Sequence, residues 1–225
     1  MLIDDFDLIT ADNKVLREIM ITYRNSLMKA VNDDVRVMSI VSGARLFEQF
    51  ESVHGPLIRF FEPFELRNLE KDESRLAITK PLKEAKIKFT DEVIDKVLSI
   101  TQGHPYYIQE FCYVLYENAI NNTVDIKIFN TVYNRIIHDL ARKMWRQKLY
   151  ELGDASIKIL YLISKGFLTT DELISNSGKK FDIKPNNVRV ILTRLQQIGH
   201  ISRVARGEYD INDKLFGEYI SSLFN

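Results

Sequence analysis

Disulfides are impossible within this chain, because Cys112 is its one cysteine. Nine glycines and five prolines in 225 residues are too few for a collagen-like, linker-like or low-complexity protein. Apolar runs such as Val37 to Val41 fall far short of the ~20 residues that a membrane-spanning helix needs. An excess of one charge is missing too. The 31 basic and 31 acidic side chains cancel, so net charge argues neither for nucleic acid nor for an acidic partner. What is present, 45% AVILMFWYC and 28% DEKR, belongs to a packed chain of one to two domains. The lone thiol, in Glu110-Phe111-Cys112-Tyr113, reads as a buried apolar residue rather than a nucleophile and suits a reducing compartment. A soluble, cytoplasmic protein is the expectation.

The apolar spacing divides the chain into three parts. Leu2-Ile3 reads as the end of a buried strand, and Val15, Leu16, Ile19, Met20, Tyr23, Leu27 and Val31 as one face of a helix over Asn13–Asn32. A β-rich run from Val35 to Val41 ends at Ser42-Gly43. A short helix over Arg45–Val53 and a strand over Leu57–Phe61 follow, closing at Pro63. Strands alternating with helices predict a partial α/β core with a parallel sheet over residues 1–62. Helical patterns at Glu70–Ala85, Thr90–Thr101, Pro105–Asn121 and Ile126–Leu149 predict an all-α region over 63–152. Thr90 or Asp91 starts one helix, and Pro105 suits the first turn of the next. From residue 153 to 225, helices over Ala155–Ser164, Thr170–Ser177 and Lys184–Ile198 precede two β runs, Ile201–Val204 and Glu208–Ile211. Asp213 caps a last helix to Leu223. Three helices and a hairpin predict a winged helix-turn-helix, in a chain that is mostly helical overall.

Charge is concentrated in that last part. Between Lys179 and Arg206 seven basic residues face one acidic residue, Asp182, a local charge of +6. With Val188, Ile191, Leu192, Leu195 and Ile198 as the buried stripe, Asn186, Asn187, Arg189, Thr193, Arg194 and Gln197 fall on exposed faces, with Lys184 at the start of the helix and Arg203 and Arg206 on the hairpin as further candidate contacts. Asn reads adenine, Arg reads guanine, and Lys or Arg neutralises phosphate, so double-stranded DNA is one expected partner. The other reading is a solvated face that docks on a protein.

At the other end, Leu2-Ile3-Asp4-Asp5 has the form of a Walker B strand. Asp4 would hold magnesium through water and Asp5 would polarise the water that attacks a nucleotide phosphate. Capped or solvated acids after a strand are the alternative. Ser42, at the end of the strand one helix later, stands where P-loop ATPases sense the γ-phosphate. With Leu2-Ile3-Asp4-Asp5-Phe6, Val41-Ser42-Gly43, Pro63-Phe64-Glu65-Leu66, Thr101-Gln102-Gly103-His104-Pro105-Tyr106-Tyr107-Ile108-Gln109 and Gly207-Glu208-Tyr209-Asp210-Ile211, the chain resembles archaeal ATPases of the AAA+/STAND group, relatives of the origin-recognition initiators. The resemblance implies ATP and magnesium as cofactors, with Asp4, Asp5 and Ser42 as catalytic residues. It places Gly103, His104 and Pro105 against adenine and ribose in a helical lid, and makes Arg59 a finger toward a neighbouring subunit's nucleotide.

One family element is absent. The sequence has no Gly-x-x-x-x-Gly-Lys-Ser/Thr, since its Gly178-Lys179 pair is followed by Lys180 and Leu173 stands five residues before Gly178. The expectation is therefore the C-terminal portion of such an ATPase, without ATP hydrolysis by this chain alone. A longer parent protein, a gene reduced to its later parts, and a partner polypeptide that supplies the phosphate-loop strand all remain open. So do the two functional classes, a nucleotide-controlled DNA-binding protein and a non-catalytic docking module. His54, His104, His138 and His200 have no metal-binding spacing. Tyr106, Tyr107, Tyr113 and Tyr116 read as core residues, and the basic helix around Trp145 as an amphipathic connector.

Overall fold

The computed structural model describes residues 2–4, 13–43 and 61–224. The chain divides into two compact units, Met1–Leu66 and Arg67–Asn225.

In the first unit, strands β1 (Leu2–Ile3) and β2 (Ile40–Val41) flank helix α1 (Asn13–Asn32). They pair in parallel, Leu2 opposite Ile40 and Ile3 opposite Val41, which requires a crossover such as α1 between them. The Ser42 amide extends the ladder by donating to the Ile3 carbonyl at 2.9 Å. On α1, Met20 is buried, the Tyr23 ring stacks with Phe61 at 6.2 Å, and the Tyr23 and Ser39 hydroxyls share a hydrogen bond. The β run expected over Val35–Val41 is a strand only at Ile40–Val41. Val35, Val37 and Met38 are exposed. The helix expected over Arg45–Val53 and the strand over Leu57–Phe61 lie outside the described residues, Phe61 itself excepted.

The second unit runs α2 (Lys71–Glu84), β3 (Lys88–Phe89), α3 (Asp91–Thr101), α4 (Pro105–Glu117), β4 (Thr123–Val124) and α5 (Ile126–Leu140). A π-helical segment (Ala141–Trp145) and α6 (Arg146–Leu152) follow. The unit closes with α7 (Asp154–Ser164), α8 (Thr170–Phe181), α9 (Pro185–Gln197), β5 (Ile201–Ala205), β6 (Glu208–Ile211) and α10 (Lys214–Ser222). Local chemistry starts these helices. Asp125 Oδ1 accepts from the amides of Lys127 and Ile128, 3.0 Å each, Asp213 Oδ1 accepts from the Phe216 amide at 3.0 Å, and Thr169 with Glu172 forms a reciprocal capping box. Helix α8 continues through Gly178, where the sequence suggests a break. The parallel pair β3–β4, with Lys88 opposite Thr123 and Phe89 opposite Val124, falls in segments that read as polar breaks, because two residues are too few to show alternation.

One apolar core runs through this unit, from Ile78 and Phe89 past Phe111 and Phe129 to Leu192 and Phe216. Trp145, the last residue of the π segment, is fully buried at its middle. A π turn inserts one residue into the helical repeat and re-aims the side chains after it. Here it places the indole 5.8 Å from Phe216 and 4.9 Å from Tyr219 on α10, and edge-on to Tyr107 at 5.9 Å. The indole N–H donates to the Tyr107 hydroxyl at 2.9 Å. The Tyr133 hydroxyl on α5 also bonds Glu218 on α10, and burial, then that carboxylate, raises its pKa.

Replacing Trp145 with Ala empties a site shared by α4, the π segment and α10, so W145A should lose about 3–5 kcal/mol of stability in urea titration. W145F, which keeps the ring contacts and drops the N–H, should lose less. Stability of W145A within about 1 kcal/mol of the parent would overturn this placement of Trp145.

Candidate functional site

The sequence-derived site residues fall in three groups. The first is at the ends of β1 and β2. The parallel register sets Asp4 and Ser42 side by side past the last ladder pair, and the Ser42 hydroxyl donates to Asp4 Oδ1. Both are exposed at the C-terminal edge of the strand pair, where ligands of parallel α/β sheets collect. Asp5 and Arg59 lie outside the described residues.

The second group is the turn between α3 and α4. Gln102 ends α3 with a left-handed φ of 48°, and Gly103 continues at φ 77° with its carbonyl accepting from the Leu69 amide at 2.9 Å. A Cβ at Gly103 would stand 2.0 Å from the Leu69 carbonyl oxygen, so only glycine fits. His104 is the N-cap of α4 and Pro105 its first residue. The His104 ring stacks on Tyr107 at 4.1 Å, and its Nδ1 is buried with no hydrogen-bond partner among the described residues. Tyr107, fully buried, donates its hydroxyl proton to Asp213. Burial and then the Asp213 carboxylate raise the phenol pKa. Lys148 Nζ lies 3.9 Å from the same carboxylate, and His200 stands 5.9 Å from Phe216 ring to ring. A chain of contacts thus leads from the glycine turn to the cap of α10. Sequence reading misses it, because Tyr107, Trp145 and Asp213 share no local pattern. Tyr106, Tyr113 and Tyr116, expected in the core, are exposed. The buried face of α4 is that of Tyr107, Phe111 and Val114.

The third group is on α9 and the hairpin. Val188, Leu192 and Leu195 are buried and Ile191 partly so, while Ile198 stands exposed at the C-cap. Lys184, Asn186, Asn187, Arg189, Thr193 and Arg194 are all exposed, as are Arg203 and Arg206. Thr193 turns its hydroxyl to the Arg189 carbonyl, 3.0 Å. Arg194 donates from Nη2 to the Glu151 carbonyl at the end of α6, 3.1 Å. Arg189, Val190, Thr193, Arg194 and Gln197 line an open groove of about 330 Å³. The hairpin β5–β6 is antiparallel, and its turn glycine, Gly207 (φ 76°), is held by Thr170, whose amide donates to the Gly207 carbonyl at 2.8 Å.

No protein-family model matches the sequence, and no curated protein matches it. A solved structure shares its architecture: a Walker-type ATPase of Pyrococcus abyssi superposes with a TM-score of 0.74 at 15% sequence identity, over 97% of this chain. The fold is ATPase-like. This chain spans 62% of the length of that ATPase. In the ATPase-like fold, the Asp4 and Ser42 oxygens suit the water shell of a magnesium ion, but no group of three His, Cys, Asp or Glu among the described residues could hold a metal ion. The sequence has no loop to cradle phosphates, so these residues do not fit a complete ATP site. Among the described residues no helix is long and apolar enough to cross a membrane.

Burial depresses the pKa of His104, against the opposing Asp213 carboxylate, and burial then Lys148 depress that of His200, both from an ordinary 6.5. The unfolded chain therefore binds more protons as pH falls through about 6.5, and the stability held above that pH is lost on acidification. The melting temperature should drop between about pH 7.5 and pH 5.5. H200Q and H104Q should each flatten the profile. A melting temperature that is constant or rises over that interval would contradict the assignment.

Proposed function

We propose that the chain is a DNA-binding protein built on an ATPase-like fold of the archaeal AAA+/STAND type. Its C-terminal winged helix-turn-helix reads duplex DNA, and in the complete assembly a nucleotide-binding core biases that reading. The observation that supports it is the outer face of α9. Three apolar residues anchor the helix while Lys184, Asn186, Asn187 and Arg189, all at its N-terminal half, point to solvent. In helix-turn-helix proteins that half of the second helix enters the major groove. The amides suit adenine and Arg189 suits guanine. Arg203 and Arg206 on the hairpin suit the adjacent backbone. Thr193 has its hydroxyl engaged on its own helix, and Arg194 its guanidinium on α6, so they contribute less to reading than Asn186, Asn187 and Arg189.

The nucleotide part of the proposal rests on the pairing of Asp4 with Ser42 and on the glycine turn at Gly103. Magnesium would meet the first of these and ATP the second, with a partner polypeptide or a longer parent supplying the phosphate loop. A second reading, a docking module without catalysis, is favoured by Val190, an apolar side chain 68% exposed amid the basic face. A thymine methyl would also meet it.

Fluorescence anisotropy of a labelled duplex against the protein decides between the two. Binding should weaken with salt at a log–log slope of about −0.9 per neutralised phosphate. R189A should cost about 1–3 kcal/mol, and R206A should lower the slope by about 1. Duplex binding that ignores salt and both substitutions would leave the docking reading. Purified chain with ATP and magnesium should release phosphate no faster than buffer. Turnover abolished by Asp5→Asn would show that the missing loop is dispensable.

A further inference from the structure

Resting on the DNA-binding reading above, we propose that the duplex-contacting surface has a second element, the outward face of α6, where Arg146 and Tyr150 engage the phosphate backbone flanking the site read by α9.

Helix α6 has two unlike sides. Leu152 is buried, and Lys148 lies 3.9 Å from Asp213 and over the Phe216 ring at 5.6 Å, so that side is committed to α10. Arg146 and Tyr150, one turn apart and therefore on one face, are exposed, Tyr150 to 90%. The preceding cations are already neutralised: Arg135 by Glu117 and Asp139, Arg142 by Asp139, Lys143 by Glu110 at 2.6 Å. Arg146 has no ion-pair partner among the described residues. A guanidinium and a phenol one turn apart, neither bonded to another side chain among the described residues, are two phosphate donors.

Continuity with α9 comes from Arg194, whose bond to the Glu151 carbonyl ties the far half of α9 to the last turn of α6. From Asn186 to Arg194 the helix rises about 12 Å, a little over two turns. With Asn186 and Arg189 on base edges, Arg194 stands at the far half of the helix, and α6 beyond it would face the phosphates that flank the site. Arg194 is then a positioning residue that fixes one surface to the other. The occupant that suits the face is the same duplex: its charge is opposite, and its backbone continues from the groove.

The test uses two labelled duplexes, a core site and the same site lengthened by about one helical turn on each side. With R146A/Y150F, the extended duplex should lose about 1 from the salt slope, so that the affinity ratio between about 50 and 200 mM salt shrinks about fourfold, while the core duplex is unchanged. R146K should restore most of the slope. If R146A/Y150F binds the extended duplex like the parent while R189A weakens both duplexes, the α6 contact is wrong and the DNA reading stands. If the parent binds neither duplex in a salt-dependent way, both are wrong.

Discussion

The Asp213 carboxylate is the point on which the larger unit depends. One side chain caps α10 through the Phe216 amide and receives the Tyr107 hydroxyl proton, with the Lys148 ammonium nearby. Tyr107 in turn accepts from the Trp145 indole. A carboxylate drawn partly out of water is costly unless its lone pairs are occupied, and here α4 and α10 supply hydrogen-bond donors while α6 brings a cation to 3.9 Å. Because α4 and α10 both bond this group, neither can move without leaving a polar atom unsatisfied beside the apolar core. The helical region and the last helix consequently share one interior.

That constraint places both ends of the second unit. At one end, the Tyr107 ring carries His104, and the close approach of Gly103 to Leu69 holds the turn before it. At the other, α10 and α7 support the hairpin and α9, and Arg194 ties α9 back to α6. A group bound at the glycine turn would have a contiguous route of packed rings and one carboxylate to the helix proposed to face DNA. Coupling through such a route needs a two-state element whose equilibrium both ends bias.

The first unit is organised by a different force, the parallel register of β1 and β2. Pairing Ile3 with Val41 sets the next residue of each strand at the sheet's edge, so Asp4 and Ser42 meet by register alone. The similarity to a Walker-type ATPase describes an architecture, and the strand pair sets the oxygen-bearing side chains of Asp4 and Ser42 together at its end.

Much of the fold is legible in the order of the amino acids. The helix over Asn13–Asn32, those starting at Pro105 and Ile126, and the hairpin over Ile201–Ile211 follow from apolar period and turn residues, and the cap at Asp213 from a side chain that bonds a backbone amide three residues on. The exposed set on α9 follows from the same period, because Val188, Leu192 and Leu195 leave only the outer faces for Asn186, Asn187 and Arg189. Contacts made over long separations have no such local signature. Tyr107 and Asp213 are 106 positions apart, the β3–β4 pair is two residues long, and the π turn at Ala141–Trp145 leaves the helical pattern almost unchanged while rotating Trp145 into the core. Short-range bonding and periodicity are written residue by residue. The meeting of Tyr107, Trp145 and Asp213, the exposure of Tyr106 and Tyr113, and the diversion of Arg194 to Glu151 are decided only when the helices pack, because burial is a property of the neighbours a side chain finds in three dimensions.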